Sequence, residues 1–242
     1  MVRAFGFTNI GCVRRNNEDV FRLADDIGLY IVADGMGGAQ AGEIAASLAT
    51  EAVLDHFRQN PERDLSTLCH AFERAHSEVS AAAARDSALR GMGSTLVVAL
   101  CDDKSVFIAN VGDSRAYVFQ GRRREYISPD QTWVNEVGRQ LGLSTEQLKE
   151  HPWRHVLTTA IGCEGHFRVN SVTLPLNADT RILLCTDGLH DVVSDTDIGN
   201  IMTGSCSPDW KCHQLVEAAR QAGGPDNITV IVVQDDGHTA PR

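Results

Sequence analysis

Acidic side chains stand at the ends of four apolar runs that lie far apart along the chain. The acids that follow such a run are Asp34, Asp113 and Asp187, and the acid that precedes one is Asp226. A further acidic pair, Glu18 and Asp19, follows the polar stretch RRNN. Short apolar runs rich in β-branched residues predict buried strands. Because strand ends in a packed sheet lie along a common edge, these carboxylates could converge.

Converging carboxylates repel one another, and the repulsion raises their pKa values. A hard divalent cation with oxygen ligands removes that conflict, and Mg²⁺ or Mn²⁺ suits a site of carboxylates, carbonyls and waters. A single aspartate after a strand is usually a turn or helix-cap residue, so position alone identifies no ligand. Asp34 is the sharpest candidate because the stretch GMGG follows it, and bare glycines let backbone carbonyls approach an ion closely.

The sequence lacks the patterns of several other phosphate chemistries. The stretch DGMGGAQ lacks the last glycine of a dinucleotide-binding loop, and no Gly-Lys pair is present for a P-loop. No cysteine is followed six positions later by arginine, as the loop of a cysteine phosphatase requires. His151 and His155 are four residues apart, but Pro152 lies between them and no acidic residue completes a metal pattern. Both are therefore interpreted as surface histidines.

The elements that must position the acids are mostly strands. Strands are predicted at 29–33, 95–101, 105–111, 116–119, 181–185 and 228–233, and helices at 41–58, 64–84 and 209–222. The strands at 95–101 and 105–111 are too close in sequence for a crossover helix, which predicts antiparallel hairpins. The order of elements predicts an α+β fold, an antiparallel sandwich with the sheets inside and helices on the outer faces. With no repeat or linker, one domain is predicted over residues 1–242.

Composition limits the classes of protein and partner. The chain has 242 residues, of which 43% are hydrophobic and 22% charged, as is typical of a globular protein. A net charge of −10 argues against a nucleic-acid surface. No run approaches the length of a membrane span, and the first 19 residues lack the apolar block of a signal peptide. Seven cysteines without a C-x-x-C pair indicate neither disulfides nor zinc, so a cytoplasmic location is expected.

Eight stretches, taken in chain order, resemble the motifs of the metal-dependent serine/threonine protein phosphatases of the PP2C (PPM) family in their bacterial, single-domain form. They span residues 11–233 and read GCVRRNNEDVF, VADGMGG, GSTLVVAL, ANVGDSRAYVF, SPDQT, LTTAIG, LLCTDGLHD and GGPDNITVIVV. The resemblance implies an αββα sandwich of two antiparallel β-sheets flanked by helices. It also implies a centre of two Mn²⁺ or Mg²⁺ ions in the cleft between the sheets.

The resemblance implies a role for each of the acids. Asp34 matches the carboxylate that bridges both ions, and the backbone carbonyl of Gly35 matches a ligand of the second ion. The other ligands that it implies are Asp187 and Asp226 for the first ion, Glu18 and Asp19 beside the second, and Asp113 for a weaker third ion. Asp191 falls near this centre, in the position of a residue that supports the ligands.

The implied reaction is hydrolysis of phosphoserine and phosphothreonine by a hydroxide that bridges the two ions, which needs no protein nucleophile. Arg14 matches the arginine that grips the substrate phosphate with its planar guanidinium, so Arg14 and Asp34 are the predicted catalytic residues. Residues 131–155 correspond to the mobile flap of the family. Met36, Gly37 and Gly38 stand where eukaryotic members often carry a histidine proposed as general acid, so no general acid is assigned.

The intact acid set favours an active phosphoprotein phosphatase that opposes a bacterial Ser/Thr kinase. Two alternatives stay open: a catalytically inactive pseudophosphatase that binds partners, and a phosphatase of a small metabolite. The expected partners are phosphorylated Ser/Thr proteins, including a cognate Ser/Thr kinase or its substrates. The chain is expected to be a monomer without a nucleic-acid partner or a membrane segment.

Overall fold

The computed structural model describes residues 2–37 and 41–235. The strands are, in chain order, β1 (Val2–Asn9), β2 (Asp19–Ala24), β3 (Leu29–Met36), β4 (Gly93–Ser94), β5 (Leu96–Cys101), β6 (Ser105–Val111), β7 (Arg115–Gln120), β8 (Arg123–Ile127), β9 (Asn170–Pro175), β10 (Thr180–Cys185) and β11 (Ile228–Asp235). The helices are α1 (Ala41–Gln59), α2 (Leu65–Arg85), α3 (Thr145–Glu150), α4 (Asp187–His190), α5 (Asp195–Thr203) and α6 (Pro208–Gln221). A 3₁₀ turn at Ser87–Leu89 and a π-helical turn at Val134–Gly138 lie between them.

The strands form two antiparallel sheets. The first sheet has the spatial order β1, β11, β10, β7, β8, and the second has the order β2, β3, β5, β6, β9, with β4 paired to β3. The predicted hairpin of β5 and β6 is confirmed, since Leu96 lies opposite Val111 and Cys101 opposite Val106. The strands predicted from apolar runs all lie in the interior of one of the two sheets.

The core has three layers, because both faces of each central strand are buried. Tyr30 and Val32 belong to the apolar cluster that fills the space between the sheets. Ile31 and Ala33 point the other way and pack with α1 and α2. This alternation explains why β3 is apolar over residues 29–33: successive side chains of a strand enter opposite layers, and both layers are apolar.

Helices cover the outer face of each sheet. On the second sheet, α1 buries Ala45, Ala46, Ala49 and Val53 in the cluster shared with β3, and small side chains allow a close approach. On the first sheet, α5 and α6 pack with α4 against β7, β10 and β11. The arrangement is the predicted αββα sandwich. Among the described residues, every helix is too short or too polar to cross a membrane.

The longer strands that the sequence patterns missed are β1, β2, β8 and β9, which are the edge strands of the two sheets. An edge strand buries less of its surface, so its sequence is more polar and its apolar run is interrupted. Gly6 interrupts β1 for a specific reason: a Cβ atom there would come within 2.5 Å of the Phe21 ring. A glycine inside a strand often marks such a close approach.

Candidate active site

The strand ends of both sheets meet at one edge of the sandwich. Asp19 begins β2 and lies directly opposite Asp34 near the end of β3. In the other sheet, β10 ends at Cys185 opposite Val230 of β11, which brings the residues just beyond both strand ends to the same edge. A cleft of about 1750 Å³ opens there.

The cleft brings together nearly all of the predicted site residues. Those that line it are Arg14, Glu18, Asp34, Gly35, Asp113, Asp187 and Asp226. Asp19 lies beneath the cleft, with 7% of its surface exposed. The hydroxyl of Thr186 donates a hydrogen bond of 3.0 Å to Asp19 Oδ2. Packing of the two sheets therefore places acids from sequence positions more than 200 residues apart around one space.

Crowding of these acids has an electrostatic signature. Burial, together with the charges of Asp19, Asp187, Asp113 and Asp226, raises the pKa of Asp34 well above its ordinary range. Burial and the neighbouring carboxylates likewise raise the pKa values of Asp113 and Asp187. The cause matches the expectation from sequence, in which converging carboxylates destabilise one another's charged forms.

The pKa of Asp19 is raised in the same way, and hydrogen bonds oppose part of the increase. Burial is the main cause that raises the pKa of Asp19 from 3.8 to about 7, and the charges of Asp187 and Asp226 add to it. Hydrogen bonds from Thr229 and Thr186 act in the opposite direction. Thr229 lies in β11 of the first sheet and Thr186 directly follows β10, whereas Asp19 begins a strand of the second sheet, so this acid lies at the junction of the two sheets.

Two buried carboxylate oxygens test whether a divalent cation suits the site. Asp19 Oδ1 and Asp187 Oδ1 are buried and accept no hydrogen bond from the described residues. A buried, unpartnered carboxylate oxygen is costly unless a cation or a donor satisfies it. Oxygen-only ligands in this number fit a hard divalent cation such as Mg²⁺ or Mn²⁺. The residues present therefore fit the implied metal centre.

Arg14 lies at the rim of the same centre. Its Nη2 atom donates a hydrogen bond of 2.6 Å to Asp226 Oδ2. About half of the Arg14 side chain is exposed, so one edge of the guanidinium still faces the cleft. Its neighbour Arg15 does not line the cleft. The structure thus distinguishes two arginines that the sequence leaves side by side.

Asn227 is a structural residue of the site that the sequence patterns did not single out. Its Nδ2 atom donates to the carbonyls of Ile10 and Asn16, at 3.0 and 2.9 Å. Its Oδ1 atom accepts a hydrogen bond of 2.9 Å from the backbone N–H of Glu18. The buried amide therefore fastens the loop that carries Arg14 and Glu18 to the start of β11. The only signal in the sequence is its place in the stretch PDN.

Close packing explains two of the glycines at the site. A Cβ atom on Gly35 would lie 2.0 Å from the carbonyl oxygen of Gly42 in α1. A Cβ atom on Gly188 would lie 1.9 Å from the carbonyl oxygen of Asn227. The sequence suggested that glycines after Asp34 leave room for an ion, whereas Gly35 also leaves room for a helix. Gly38 lies outside the described residues.

The predicted flap at 131–155 is a compact excursion between β8 and β9. Its two ends are held together by hydrogen bonds from Trp133 N to Val156 O (2.8 Å) and from Thr158 N to Gln131 O (2.9 Å). A small apolar core surrounds Gly138, where a Cβ atom would lie 2.7 Å from Leu148. Three rings of the flap also pack together: Trp133 stacks on His151 with centroids 4.5 Å apart, and Trp153 meets both rings edge to face at 5.0 and 5.8 Å.

His155 lines the cleft and is exposed, as expected of a surface histidine, but the expectation that no acidic residue accompanies it is wrong. Its Nδ1 atom lies 3.2 Å from Asp191 Oδ2. The ligand atoms of His155, Asp187 and Asp191 lie within 4.8 Å of one another. Burial acts to raise the pKa of Asp191, but hydrogen bonding and charge from His190, with His155 and Arg115, lower it. The stretches LLCTDGLHD and WRH are adjacent only in the fold.

Comparisons with known proteins agree with this geometry. A family model described as protein phosphatase 2C matches residues 14–218. The serine/threonine phosphatase stp of Listeria monocytogenes is 34% identical over 237 residues, which cover 95% of this chain and 94% of that protein. The serine/threonine protein phosphatase PstP of Mycobacterium tuberculosis is 35% identical over 240 residues, which cover 96% of this chain and 45% of that protein.

Solved structures give the same result. The M. tuberculosis phosphatase PstP/Ppp superposes with a TM-score of 0.86 at 32% identity and covers 97% of this chain and 99% of that one. The catalytic domain of PstP in complex with two manganese ions has a TM-score of 0.84 at 30% identity, with 96% and 97% covered. The motifs, the sandwich and the cleft of acids lead to one conclusion: this chain belongs to the protein phosphatase 2C family.

Proposed function

We propose that this chain is a metal-dependent protein phosphatase that hydrolyses phosphoserine and phosphothreonine. One observation carries the proposal: the cleft collects acids from both sheets, leaves two buried carboxylate oxygens without a partner, and carries an arginine at its rim. The named relatives, which are serine/threonine phosphatases, support the same function. Nothing in them supports a pseudophosphatase or a phosphatase of a small metabolite.

The chain's own carboxylates would hold the cations. Asp34 is proposed to contact two ions, since it is buried among acids from both sheets and their charges act on its carboxylate. The other proposed ligands are the carbonyl of Gly35, the carboxylates of Asp187 and Asp226, and the acidic pair Glu18 and Asp19. A bound pair of divalent ions supplies Lewis acidity, which lowers the pKa of water and offsets the charge of a phosphate group. Asp113, which also lines the cleft, is proposed as a ligand of a weaker third ion.

Arg14 is proposed to bind the phosphate group. A guanidinium presents parallel N–H groups that match two phosphate oxygens, and this geometry orients the phosphorus for attack. Its contact with Asp226 fixes the guanidinium at the rim of the carboxylate cluster. Asp34 and Arg14 therefore have separate tasks: the carboxylate holds cations and the guanidinium holds the substrate.

The proposed partners are phosphorylated Ser/Thr proteins, including a cognate Ser/Thr kinase or its substrates. We propose that the chain acts as one domain and one monomer in the cytoplasm. The manganese ions of the related PstP structure make Mn²⁺ the first ion to test.

The experiment is hydrolysis of a phosphothreonine peptide and of p-nitrophenyl phosphate by the full chain, with Mn²⁺, with Mg²⁺ and with excess chelator. We expect turnover of both substrates with a divalent ion and none in chelator, and recovery when the ion is restored. Full activity in excess chelator, or no activity with either ion, would contradict the proposal.

A further inference from the structure

Building on the proposed phosphatase function, we propose that the flap selects protein segments that carry an anionic side chain close to the phosphorylated residue. The substrate class is thus an acidic phosphopeptide, in which the second anion is a carboxylate or another phosphate. The selecting groups are three flap cations, Arg139, Lys149 and Arg154, which we call the flap triad.

The flap triad faces the same cleft as the acids. All three residues line it and all three are exposed. Within residues 2–37 and 41–235, none of the three forms an ion pair within 4.0 Å. The carboxylate that interacts with the charge of Lys149 is Glu146, which is itself fully exposed. The three cations are therefore available to a ligand in the cleft.

The backbone positions of the three cations are set by local structure of the flap. Arg139 directly follows the π-helical turn, Lys149 lies in the last turn of α3, and Arg154 lies in the turn that leads back to the base of the flap. The base is fastened by the pairing of Thr132 with Leu157. Three separate local elements thus each place a cationic residue at the same cleft.

The distribution of charge makes this surface distinctive. The chain carries a net charge of −10, and the floor of the cleft is lined by acids. Apart from the proposed metal ligands, the described carboxylates that line the cleft are Asp130, which pairs with Arg115, Asp191, which pairs with His155, and Glu164. The flap adds three cations to the same lining. Arg14 and the flap triad line the same cleft, so the side chains next to a phosphate held at Arg14 enter a space that this positive surface also lines. Complementary charge there favours acidic neighbours and disfavours basic ones.

The test uses four synthetic phosphothreonine peptides of equal length. Their flanking positions carry glutamate, a second phosphothreonine, glutamine or lysine. The kcat/KM of each peptide is measured with the Mn²⁺-loaded full chain. The Kd of matching peptides with a non-hydrolysable phosphonate is measured by fluorescence anisotropy. Comparing the glutamate and diphosphorylated peptides tells which anion the flap prefers.

A matched pair of variants locates the effect. One variant carries Arg139→Gln, Lys149→Gln and Arg154→Gln. The control carries Arg63→Gln, Arg85→Gln and Arg122→Gln, which remove the same charge from exposed positions outside the cleft. Because both variants have the same net charge, any difference between them comes from position rather than from total charge.

We expect the unchanged chain to prefer the glutamate-flanked over the glutamine-flanked peptide by about tenfold in both kcat/KM and Kd, since each of three exposed contacts contributes modestly. The preference should decrease with added salt. The flap variant should lose it and the control variant should keep it. Equal use of the two peptides by the unchanged chain, or equal loss in both variants, would overturn the proposal.

Failure of the phosphatase function would give a different result. In that case neither p-nitrophenyl phosphate nor any peptide is hydrolysed with Mn²⁺. The anisotropy measurements do not depend on turnover, so they still decide whether the flap triad selects anionic flanks.

Discussion

The guanidinium of Arg14 and the carboxylate of Asp226, 212 residues apart in the chain, are joined by a hydrogen bond of 2.6 Å. The other oxygen of Asp226 accepts a hydrogen bond of 2.8 Å from the backbone N–H of Asn227. The carboxylate proposed to hold a cation is therefore also the group that positions the arginine proposed to hold phosphate. In the proposed function, substrate binding and metal binding share this residue, and variants can separate the two.

The first prediction concerns Arg14→Ala. Loss of a charged, bidentate contact to phosphate costs about 1.5–3 kcal/mol, so kcat/KM should fall about ten- to a hundredfold. A contact equally strong in ground and transition states would raise KM alone, and one that tightens in the transition state would also lower kcat. The measurement is steady-state kinetics with Mn²⁺ at saturation.

Arg15→Ala is the control for Arg14→Ala, because the adjacent arginine does not line the cleft. Calorimetric titration with Mn²⁺ should show that the Arg14→Ala variant still binds the ion, since the substitution removes a positive charge from beside Asp226. A larger kinetic defect in Arg15→Ala than in Arg14→Ala would show that the phosphate-binding role is assigned to the wrong arginine.

The second prediction concerns Asp34→Ala. If Asp34 contacts both ions, this variant should lose nearly all activity, whereas Asp187→Ala or Asp226→Ala should chiefly lose affinity for one ion. The chain should stay folded, because the change removes one of several mutually repelling acids. Circular dichroism, Mn²⁺ titration and turnover are measured together. An Asp34→Ala enzyme with substantial activity would refute the bridging role.

The third prediction concerns the pH dependence of stability in chelator. Burial raises the pKa of Asp19 from 3.8 to about 7, so the folded chain binds this proton more tightly than the unfolded chain. The stability contributed by such a group is fully present below pH 3.8 and is lost as pH rises through about 7. We therefore expect Tm to fall between about pH 4 and 7, by the equivalent of a few kcal/mol.

Two comparisons identify the source of that fall in Tm. Saturating Mn²⁺ should remove most of it, because a cation stabilises the charged carboxylates. Asp19→Asn in chelator should weaken it, because the variant lacks the titrating group. A Tm that rises with pH over this range in chelator would contradict the assignment.

The fourth prediction concerns His155→Ala. The contact of His155 Nδ1 with Asp191 Oδ2 at 3.2 Å joins the flap to the end of α4. Exposed pairs contribute about 0.2–1 kcal/mol, so its loss should speed hydrogen exchange of flap amides a few-fold. His70→Ala, at an exposed position of α2, is the control. Equal exchange rates in all three proteins would show that the contact does not hold the flap.

The fifth prediction compares two glycines that both lie in helices. Gly188→Ala should destabilise the chain by about 1–3 kcal/mol, because its Cβ would lie 1.9 Å from the carbonyl oxygen of Asn227 and the backbone must move. Gly199→Ala meets nothing closer than 3.8 Å and should be neutral or stabilising by up to about 1 kcal/mol. Denaturant unfolding measures both. Similar losses in the two variants would show that this close approach does not limit stability.

Much of the fold follows from local sequence. A strand buried on both faces must be apolar at every position, so the central strands are recognisable as short continuous runs. The edge strands β1, β2, β8 and β9 escape recognition because one side of each lacks a neighbouring strand and tolerates polar residues. The helices α1, α2 and α6 are recognised from their apolar spacing to within one or two residues at each end.

The candidate site divides in the same way. Acids at strand ends can be recognised in the sequence, because the apolar run and the charged residue that ends it are neighbours in the chain. The contacts that Arg14, His155 and Asn227 make are decided by the tertiary structure alone, since each joins segments between 36 and 217 residues apart. The reason is physical: sequence patterns report which side chains are buried or exposed. The packing of the two sheets decides which strand ends and loops come into contact.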